Sequence, residues 1–546
     1  MSISFKEIFK TPKLYKDFLY DFPKVEAFYF RDYQKEKTYS DIFYQLDKKP
    51  FPRDEIVPLL TRQNKNFGCS EKTLENIRHL EKAGSYCVFT GQQVGIFGGP
   101  LYTFYKAIST IKLAETFSQK FGKKIVPVFW LASDDHDFDE VKSVGLIDKE
   151  NNFIQLDYLP REDVFRRSMS KIYLDENIEK LLSQLKDCFF QTEFENDIFD
   201  KLKNFYHTGE KITQAFAGWL SFLLGKYGLV IIDPSDAEFK RLALPVFLKE
   251  IENPKKTSQL LQKTNLKLES LGYHLQVHKT EDLANFFIDE GKRVRVKLRD
   301  GKFILENIDK ELSIDELKKI IQENPSRISP NVILKTVVQS YVFPTAIYVG
   351  GPGEVSYYAQ TKEIFDFFDV LMPVICPRAS LTLVEPKIEK ILEKYSLPFT
   401  QLFDDVESLF NFVMRKNLPH SLEKNLKEAN ERIQEELDSL EKVIRFDPTL
   451  EKTLKTTKNK IEFELKSLEK KIFQSHKKQN QIISDQIYKA RNNLFPNGKL
   501  QEREISILPF LVKYGFRFVD YLFDKIDISV KDHQILGTLE AEKKKV

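Results

Sequence analysis

Apolar and polar positions follow three different rhythms along this chain. In the first two thirds, residues 86–90, 128–131, 229–232, 346–349 and 374–376 form short, nearly continuous apolar runs. Runs of that length without polar alternation predict strands buried on both faces of a parallel sheet. Leu101, Phe104, Ile108 and Ile111 recur at helical spacing after the first run, and residues 70–83 and 356–368 also read as helices. Pro100 is expected at the first helical position, where its missing N–H costs nothing, and the second strand is expected to begin only after Pro127. Strands alternating with helices predict an α/β fold, a parallel sheet with helices on both faces.

Two stretches interrupt this alternation. Residues 148–210 are polar and partly helical, and residues 265–310 carry short alternating runs such as 273–278 and 293–298. Both read as insertions decorating one sheet. The first 80 residues or so are broken into short pieces by Pro23, Pro50, Pro52 and Pro58. In the last third, Leu422, Leu426, Ile433, Leu437, Leu440 and Ile444 recur at three- and four-residue steps. Pro448 interrupts them, and Leu450, Leu454, Ile461, Leu465, Leu468 and Ile472 resume amid Lys and Glu. That pattern predicts two long amphipathic helices in an antiparallel coiled-coil hairpin, closed on itself or burying a seam against a second chain. The expected division is a core domain over residues 1–380 and a helical coiled-coil domain over 381–546, with a turn at 495–498 and a solvated basic tail at 543–545.

Composition narrows the function classes. Among 546 residues, 84 Lys+Arg against 81 Asp+Glu leave a net charge of +3, which argues against a chain built to wrap nucleic acid. An apolar fraction of 42% with 46 Phe supports packed cores rather than global disorder. The start of the chain lacks the layout of a signal peptide, and no apolar stretch is long enough to span a bilayer, so a soluble, cytoplasmic protein is expected. Cys69, Cys87, Cys188 and Cys376 form no C-x-x-C pair and read as reduced thiols, the second and fourth of them packing residues inside apolar strands.

Candidate chemistry sits just beyond the strands. Residues 91–100 (G-Q-Q-V-G-I-F-G-G-P) and 350–354 (G-G-P-G-E) are glycine-rich turns between a strand and a helix. Exposed amides and a helix start favour a phosphate or carboxylate there, although neither turn matches the dinucleotide fingerprint or the P-loop. In a doubly wound sheet two such turns can meet where the strand order reverses. The run D-D-H-D-F-D-E at 134–140 directly follows the second strand. There His136 could serve as acid, base or hydrogen-bond donor, and Asp134, Asp135 and Asp137 could hold Mg2+ on a nucleotide. An Asp N-cap with a solvated first turn would explain the acids but not His136. His274, Gln276 and His278 would share one strand face, which a half-exposed polar face explains as well as metal ligation does. No resident metal and no serine nucleophile elbow are expected.

Taken together, the segments at 90–103, 129–141 (F-W-L-A-S-D-D-H-D-F-D-E-V), 349–360 (V-G-G-P-G-E-V-S-Y-Y-A-Q), 376–385 (C-P-R-A-S-L-T-L-V-E) and 496–503 (P-N-G-K-L-Q-E-R) closely resemble one family. It is the cysteine-adding enzyme family of bacillithiol biosynthesis, the cysteine ligases, and the resemblance covers nearly the whole chain. It implies a Rossmann-like core with connecting insertions, related in outline to class I aminoacyl-tRNA synthetases, and a coiled-coil domain that pairs two subunits as a homodimer. The implied reaction joins the carboxyl group of L-cysteine to the free amine of glucosaminyl-malate, with neither nucleic acid nor membrane as partner. One departure shows. Lys335-Thr336 stands where the resemblance leads one to expect Arg-Pro, and lysine keeps the charge but loses bidentate geometry.

Amide formation from a carboxylate needs prior activation as an acyl-adenylate or acyl-phosphate, hence ATP or another nucleotide, with Mg2+ an option. On this reading Lys106, Lys335 and Arg378 are counter-charges, and the helix starts at Gly99 and Glu354 cradle phosphates. His136 hydrogen-bonds the transferring phosphate or accepts the amine proton. Gly91, Gln92, Gln93, Gly98, Tyr102, Thr103, Trp130, Gly350, Gly351, Gly353 and Tyr357 complete the expected binding set. The chain has no K-M-S-K-S-like loop and no Cys/His cluster for zinc, so the nucleotide stays open and cysteine is chosen by pocket shape. Two other readings compete: a metal-dependent phosphoester hydrolase built on residues 134–140 with Asp233, and a non-catalytic coiled-coil scaffold.

Overall fold

The computed structural model describes residues 1–308, 310–417, 420–444, 447–479 and 481–539; the basic tail expected at 543–545 lies outside them. The chain forms two compact units, Met1–Leu383 together with the described residues from Lys499 onward, and Val384–Gly498.

The first unit is organised by a five-stranded sheet of β1 (Ser85–Gln92), β2 (Lys124–Leu131), β3 (Val230–Ile232), β4 (Thr345–Gly350) and β5 (Val374–Pro377). Their order is β5-β4-β1-β2-β3, and every pair is parallel. The apolar runs are continuous because both faces are covered. On one face Phe129, Leu131 and Ile231 pack with Phe104, Ile108 and Ile111 of α1 (Tyr102–Phe121). Toward the other edge of that same face, Tyr86, Val88, Ile347 and Val374 pack with Tyr39, Ile42 and Phe43 of the helix Glu36–Leu46. On the opposite face Phe89 and Trp130 pack against Phe343 and Phe239.

Several local expectations need correction. Pro127 stands inside β2 opposite Val88, because β3 pairs with β2 only from Val128 onward and that flank carries no ladder for the missing N–H to break. Pro100 bridges to Ser506, and α1 starts at Tyr102. The helix expected over 356–368 divides into Pro352–Ala359 and Lys362–Phe368.

The insertions are real elements. A hairpin of Ser143–Ile147 with Phe153–Asp157 and helices Asn177–Asp187 and Glu195–Phe205 stand between β2 and β3. Between β3 and β4 lies a five-stranded antiparallel sheet spanning residues 283–330, so this insertion reaches beyond the expected 310. Residues 273–278 are irregular instead of the expected strand. The side chain of Gln360 accepts the N–H groups of Gln276 and Val277 at 3.2 and 2.9 Å and donates to the Val277 carbonyl at 3.0 Å, replacing a strand neighbour with one amide.

Beyond the second unit the chain returns to the first, where a single boundary at 380 was expected. Ile505, Leu508, Leu511, Phe518 and Leu522 enter the core beneath the sheet, and His533–Gly537 joins a small sheet between Ser2–Ile3 and Leu381–Val384. The anchor is polar. Glu502, 1% exposed, accepts Arg378 Nη1 and Nη2 at 3.0 and 2.6 Å, Ser380 Oγ at 2.8 Å and the Leu381 N–H at 3.0 Å. The neighbouring Gln501 side chain pairs with both backbone groups of Leu383, at 2.8 and 2.9 Å.

In the second unit His420–Val443 and Pro448–Gln479 form the expected antiparallel hairpin, with Lys458 crossing to Asp438 at 2.7 Å and Glu441 at 2.5 Å. Leu426, Ile433, Leu437, Leu454, Ile461 and Leu465 are half-buried, whereas Leu440, Leu450 and Leu468 stay exposed. Among the described residues no helix is long and apolar enough to cross a membrane.

Removing one partner of a buried ion pair leaves an uncompensated charge. Glu502→Ala is expected to destabilise the protein by about 3–5 kcal/mol, read as a lower urea midpoint. An unchanged midpoint would show that the returning segment is held by packing alone.

Candidate functional site

The strand order reverses between β4 and β1, and a cavity of about 690 Å3 opens there beyond the carboxyl ends of the strands. Gly91, Gln92 and Gln93 reach it from β1; Trp130, Asp134, Asp135 and His136 from β2; Gly351, Gly353, Glu354 and Tyr357 from beyond β4. Tyr102, Lys106, Lys335 and Arg378 complete the sequence-predicted residues that line it. The expected juxtaposition of the two glycine turns with the acid–imidazole run is therefore present, but not through every residue named for it.

Gly98, Gly99, Thr103, Gly350 and Asp137 do not line the cavity, and their expected places in the site are corrected. Gly98 has φ +95° and a Cβ there would sit 2.9 Å from Phe104 Cζ; its glycine serves a buried turn against α1. The N–H groups of Gly98 and Gly99 close onto the carbonyls of Gly95 and Ile96 at 3.1 Å, so they offer no phosphate cradle. Thr103 is buried beside Gly99, and Asp137 is exposed with no side-chain cap bond. At the second turn the Gly351 N–H is taken by Glu354 Oε2 at 2.8 Å. The helix start that was expected to hold a phosphate thus already carries an internal carboxylate.

Charges around the cavity are matched in a specific way. Lys106 Nζ lies 2.5 Å from Glu354 Oε2 and donates to Gly91 O and Gln92 Oε1 at 2.9 and 2.8 Å. Glu354 also accepts Tyr348 OH at 2.7 Å. Asp134 pairs with the buried Lys240. Asp135 accepts Gln93 Nε2 at 2.9 Å and the His136 N–H at 2.7 Å, with Arg293 Nη1 3.5 Å away. Burial pushes its carboxyl up, but these hydrogen bonds and the guanidinium win and hold it well below the usual carboxylate range. Glu140 accepts the same Gln93 amide at 2.6 Å. Arg378, expected as a free counter-charge, is neutralised by Glu502; only its buried Nε lacks a hydrogen-bond partner. Among the described residues no three His, Cys, Asp or Glu side chains are grouped to hold a metal ion.

Lys335 is different. Its Nζ is 3.4 Å from Tyr348 OH and lies 5.5 and 5.1 Å from the Trp130 and Tyr348 ring centroids. Among the described residues no carboxylate pairs with it. Gly91 serves the approach of β1 to β2 rather than Lys335: a Cβ there would be 3.0 Å from the Trp130 carbonyl oxygen and 3.2 Å from Trp130 Cβ, but in ordinary contact, at 3.6 Å, with the ammonium. Burial pushes Lys335 down to about 8, the nearby Lys106 adding to this and Glu354 opposing it.

His136 is half-buried, its ring 5.8 Å from that of Phe287, and its Nδ1 is 3.2 Å from Arg293 Nη1. The same Nδ1 lies 3.5 Å from Asp135 Oδ1; arginine can only donate, so the neutral tautomer that satisfies the shorter of the two contacts carries its proton on Nε2. Sequence reasoning missed Lys279, Arg293, Arg295 and Arg503, all lining the cavity. Arg293 and Arg295 read as strand alternation, and Lys279 follows residues read as a strand face; Arg503 ends a quoted motif and carried the one available signal.

Two family models match the chain. Residues 1–379 match "Bacillithiol biosynthesis BshC, N-terminal Rossmann-like domain" and residues 381–538 match "Bacillithiol biosynthesis BshC, C-terminal coiled-coil domain". A protein of Salinibacter ruber is 34% identical over 528 residues, covering 96% of each chain. Proteins of Desulforamulus reducens and Koribacter versatilis are 31% and 32% identical over 97% and 98% of this chain and 98% and 99% of their own. All three are named "Putative cysteine ligase BshC".

A lysine with a pKa near 8 is charged below that pH and loses its charge above it. The affinity for ATP as an anionic probe, measured by calorimetric titration, is therefore expected to fall by up to about tenfold per pH unit above 8. Lys335→Arg should flatten that dependence, since arginine stays protonated. A Lys335→Met protein that keeps the native profile would remove Lys335 from anion binding.

Proposed function

Because the chain belongs to the BshC family of bacillithiol biosynthesis, we propose that it joins the carboxyl group of L-cysteine to the free amine of glucosaminyl-malate, after activation of the carboxylate by ATP or another nucleotide. The observation that carries this reading is the cavity at the strand-order reversal, in which Lys335 is held bare of any carboxylate partner among the described residues. An ammonium desolvated between two aromatic rings attracts an anion strongly, because little water competes.

The chemistry divides into two steps. In the first, a cysteine carboxylate oxygen attacks phosphorus, the P–O bond to the rest of the nucleotide breaks and pyrophosphate or the nucleoside diphosphate leaves with the electron pair, and charge grows on the phosphate oxygens. Lys335 and the Nε2–H of His136 are the groups to meet that charge, and the Arg378 Nε–H offers one more donor beside Gly351. Mg2+ would travel on the nucleotide phosphates, since Asp134, Asp135 and Glu140 already serve protein partners. In the second step the amine attacks the activated carbonyl and the phosphate group leaves. Walls from the antiparallel insertion, including Phe286 and Phe287, limit water that would hydrolyse the intermediate.

The same reading makes the protein a homodimer through its helical hairpin, where Leu440, Leu450 and Leu468 are 50%, 37% and 47% exposed. Sedimentation equilibrium at micromolar concentration should show two chains; a monomer would overturn this part.

The test of the reaction is direct. Purified protein mixed with cysteine, glucosaminyl-malate and ATP or another nucleoside triphosphate should yield bacillithiol, with AMP or ADP, by mass spectrometry. No product with any nucleotide would reject the reading. His136→Ala should slow coupling at least about tenfold, the loss of one positioned donor; full-rate coupling would take His136 out of the mechanism.

A further inference from the structure

The amine that attacks the activated carboxyl must lose a proton, and the groups first suspected of accepting it are engaged. Arg293 faces His136 Nδ1, Asp135 is held ionised by its donors, and Glu354 is bound to Lys106, Tyr348 and the Gly351 amide. Lys279, Arg295 and Arg503 of the cavity wall remain without a role, and of these only the lysine can give up its proton. Lys279 donates to Ser258 Oγ at 2.8 Å and Asn285 Oδ1 at 3.0 Å, both neutral acceptors, and these leave one position on Nζ for the cavity that it lines.

Behind this wall lies a buried carboxylate. Glu250, 0% exposed on the helix Leu244–Glu252, accepts Asn285 Nδ2 at 2.9 Å and Thr257 Oγ1 at 3.0 Å through Oε1, while its Oε2 has no hydrogen-bond partner. Asn285 therefore links the two ionisable groups, its oxygen on Lys279 and its amide on Glu250, and Asn331 donates to that same oxygen at 3.0 Å. A carboxylate buried with one oxygen unpaired is costly, and packing alone would be served by an apolar side chain.

We propose that Lys279 is the catalytic base that takes the proton from the attacking amine, and that Glu250, acting through Asn285, is the positioning residue that sets its proton affinity. This rests on the coupling reaction proposed above and adds its base. As the nitrogen lone pair forms the C–N bond, the C–O bond to phosphate breaks and leaves with its electron pair. The N–H proton passes to the unprotonated Nζ of Lys279, and the resulting ammonium returns it to water.

The electrostatics support such a role. Burial pushes Lys279 down to about 8, opposed by Glu250 and Asp282, and the same burial raises Glu250. The other titratable groups that line this wall are His278, Arg293 and Arg295, with Lys335 facing from the helix Val332–Val342. A base with a pKa near the working pH combines a useful unprotonated fraction with driving force.

Two half-reactions separate the tests. If the wild-type protein forms no bacillithiol, the coupling reading itself fails. Given coupling, Lys279→Arg and Lys279→Met are expected to lower kcat for amide formation about 10²–10⁴-fold while cysteine-dependent nucleotide cleavage stays within a few-fold of wild type. Either variant coupling at the wild-type rate, or both half-reactions falling together, would overturn the proposal. Wild-type coupling should rise with pH through about 8. Glu250→Gln removes the negative charge that favours the ammonium, so the rising limb should move to lower pH by about one unit; an unmoved limb would overturn the role of Glu250.

Discussion

A guanidinium and a carboxylate, both withdrawn from water, determine how this chain closes on itself. Arg378 and Glu502 are separated by the whole second unit in sequence, yet each is buried to within a few per cent. Neither charge is tolerable there alone, so the segment carrying Glu502 has to return to the segment carrying Arg378. The remaining lone pairs of Glu502 are met by Ser380 and the Leu381 amide, and Gln501 completes the edge of Leu383. Two motifs that look unrelated in the sequence, around residues 376–385 and 496–503, are therefore the two halves of one contact. That contact also delivers Arg378 and Arg503 to the cavity rim.

The cavity leaves some charges unmatched. Glu354 is neutralised by Lys106 and Asp134 by Lys240, and these pairs shape the floor without offering much to a ligand. Lys335 and Lys279 are treated differently. Each is desolvated against rings or neutral dipoles, and each is pushed to about 8. In the roles proposed for them, one requires its proton to hold an anion, and the other must be free of it to act as a base. A coupling reaction that uses both would be fastest in the narrow range where the two requirements overlap.

Legibility differed by element. The five apolar runs became the five parallel strands because a strand buried on both faces needs only local hydrophobicity. The heptads became a helical hairpin for a similar reason. The turn at 91–100 was misread in part. Gly91 does line the cavity, but its Cβ is excluded by Trp130 of the neighbouring strand, Gly98 and Gly99 serve a buried turn, and glycine looks the same in sequence whether a ligand or Phe104 excludes its Cβ. Residues 273–278 alternate like a strand yet are pinned by Gln360, a partner that periodicity does not reveal.

The amino-acid sequence by itself determined the α/β sheet and the coiled-coil hairpin, since these follow from local periodicity, and it put the glycine turns and the acid–imidazole run at strand ends; that they meet was decided by the strand order. Only the tertiary structure decided which charges are free. Asp134 finds Lys240, Arg378 finds Glu502, and Lys279 reaches Glu250 only through Asn285. Whether a charged side chain is a structural strut or an instrument of chemistry depends on its burial and its nearest opposite charge. Both are set by segments far away in the chain, and no local pattern records them.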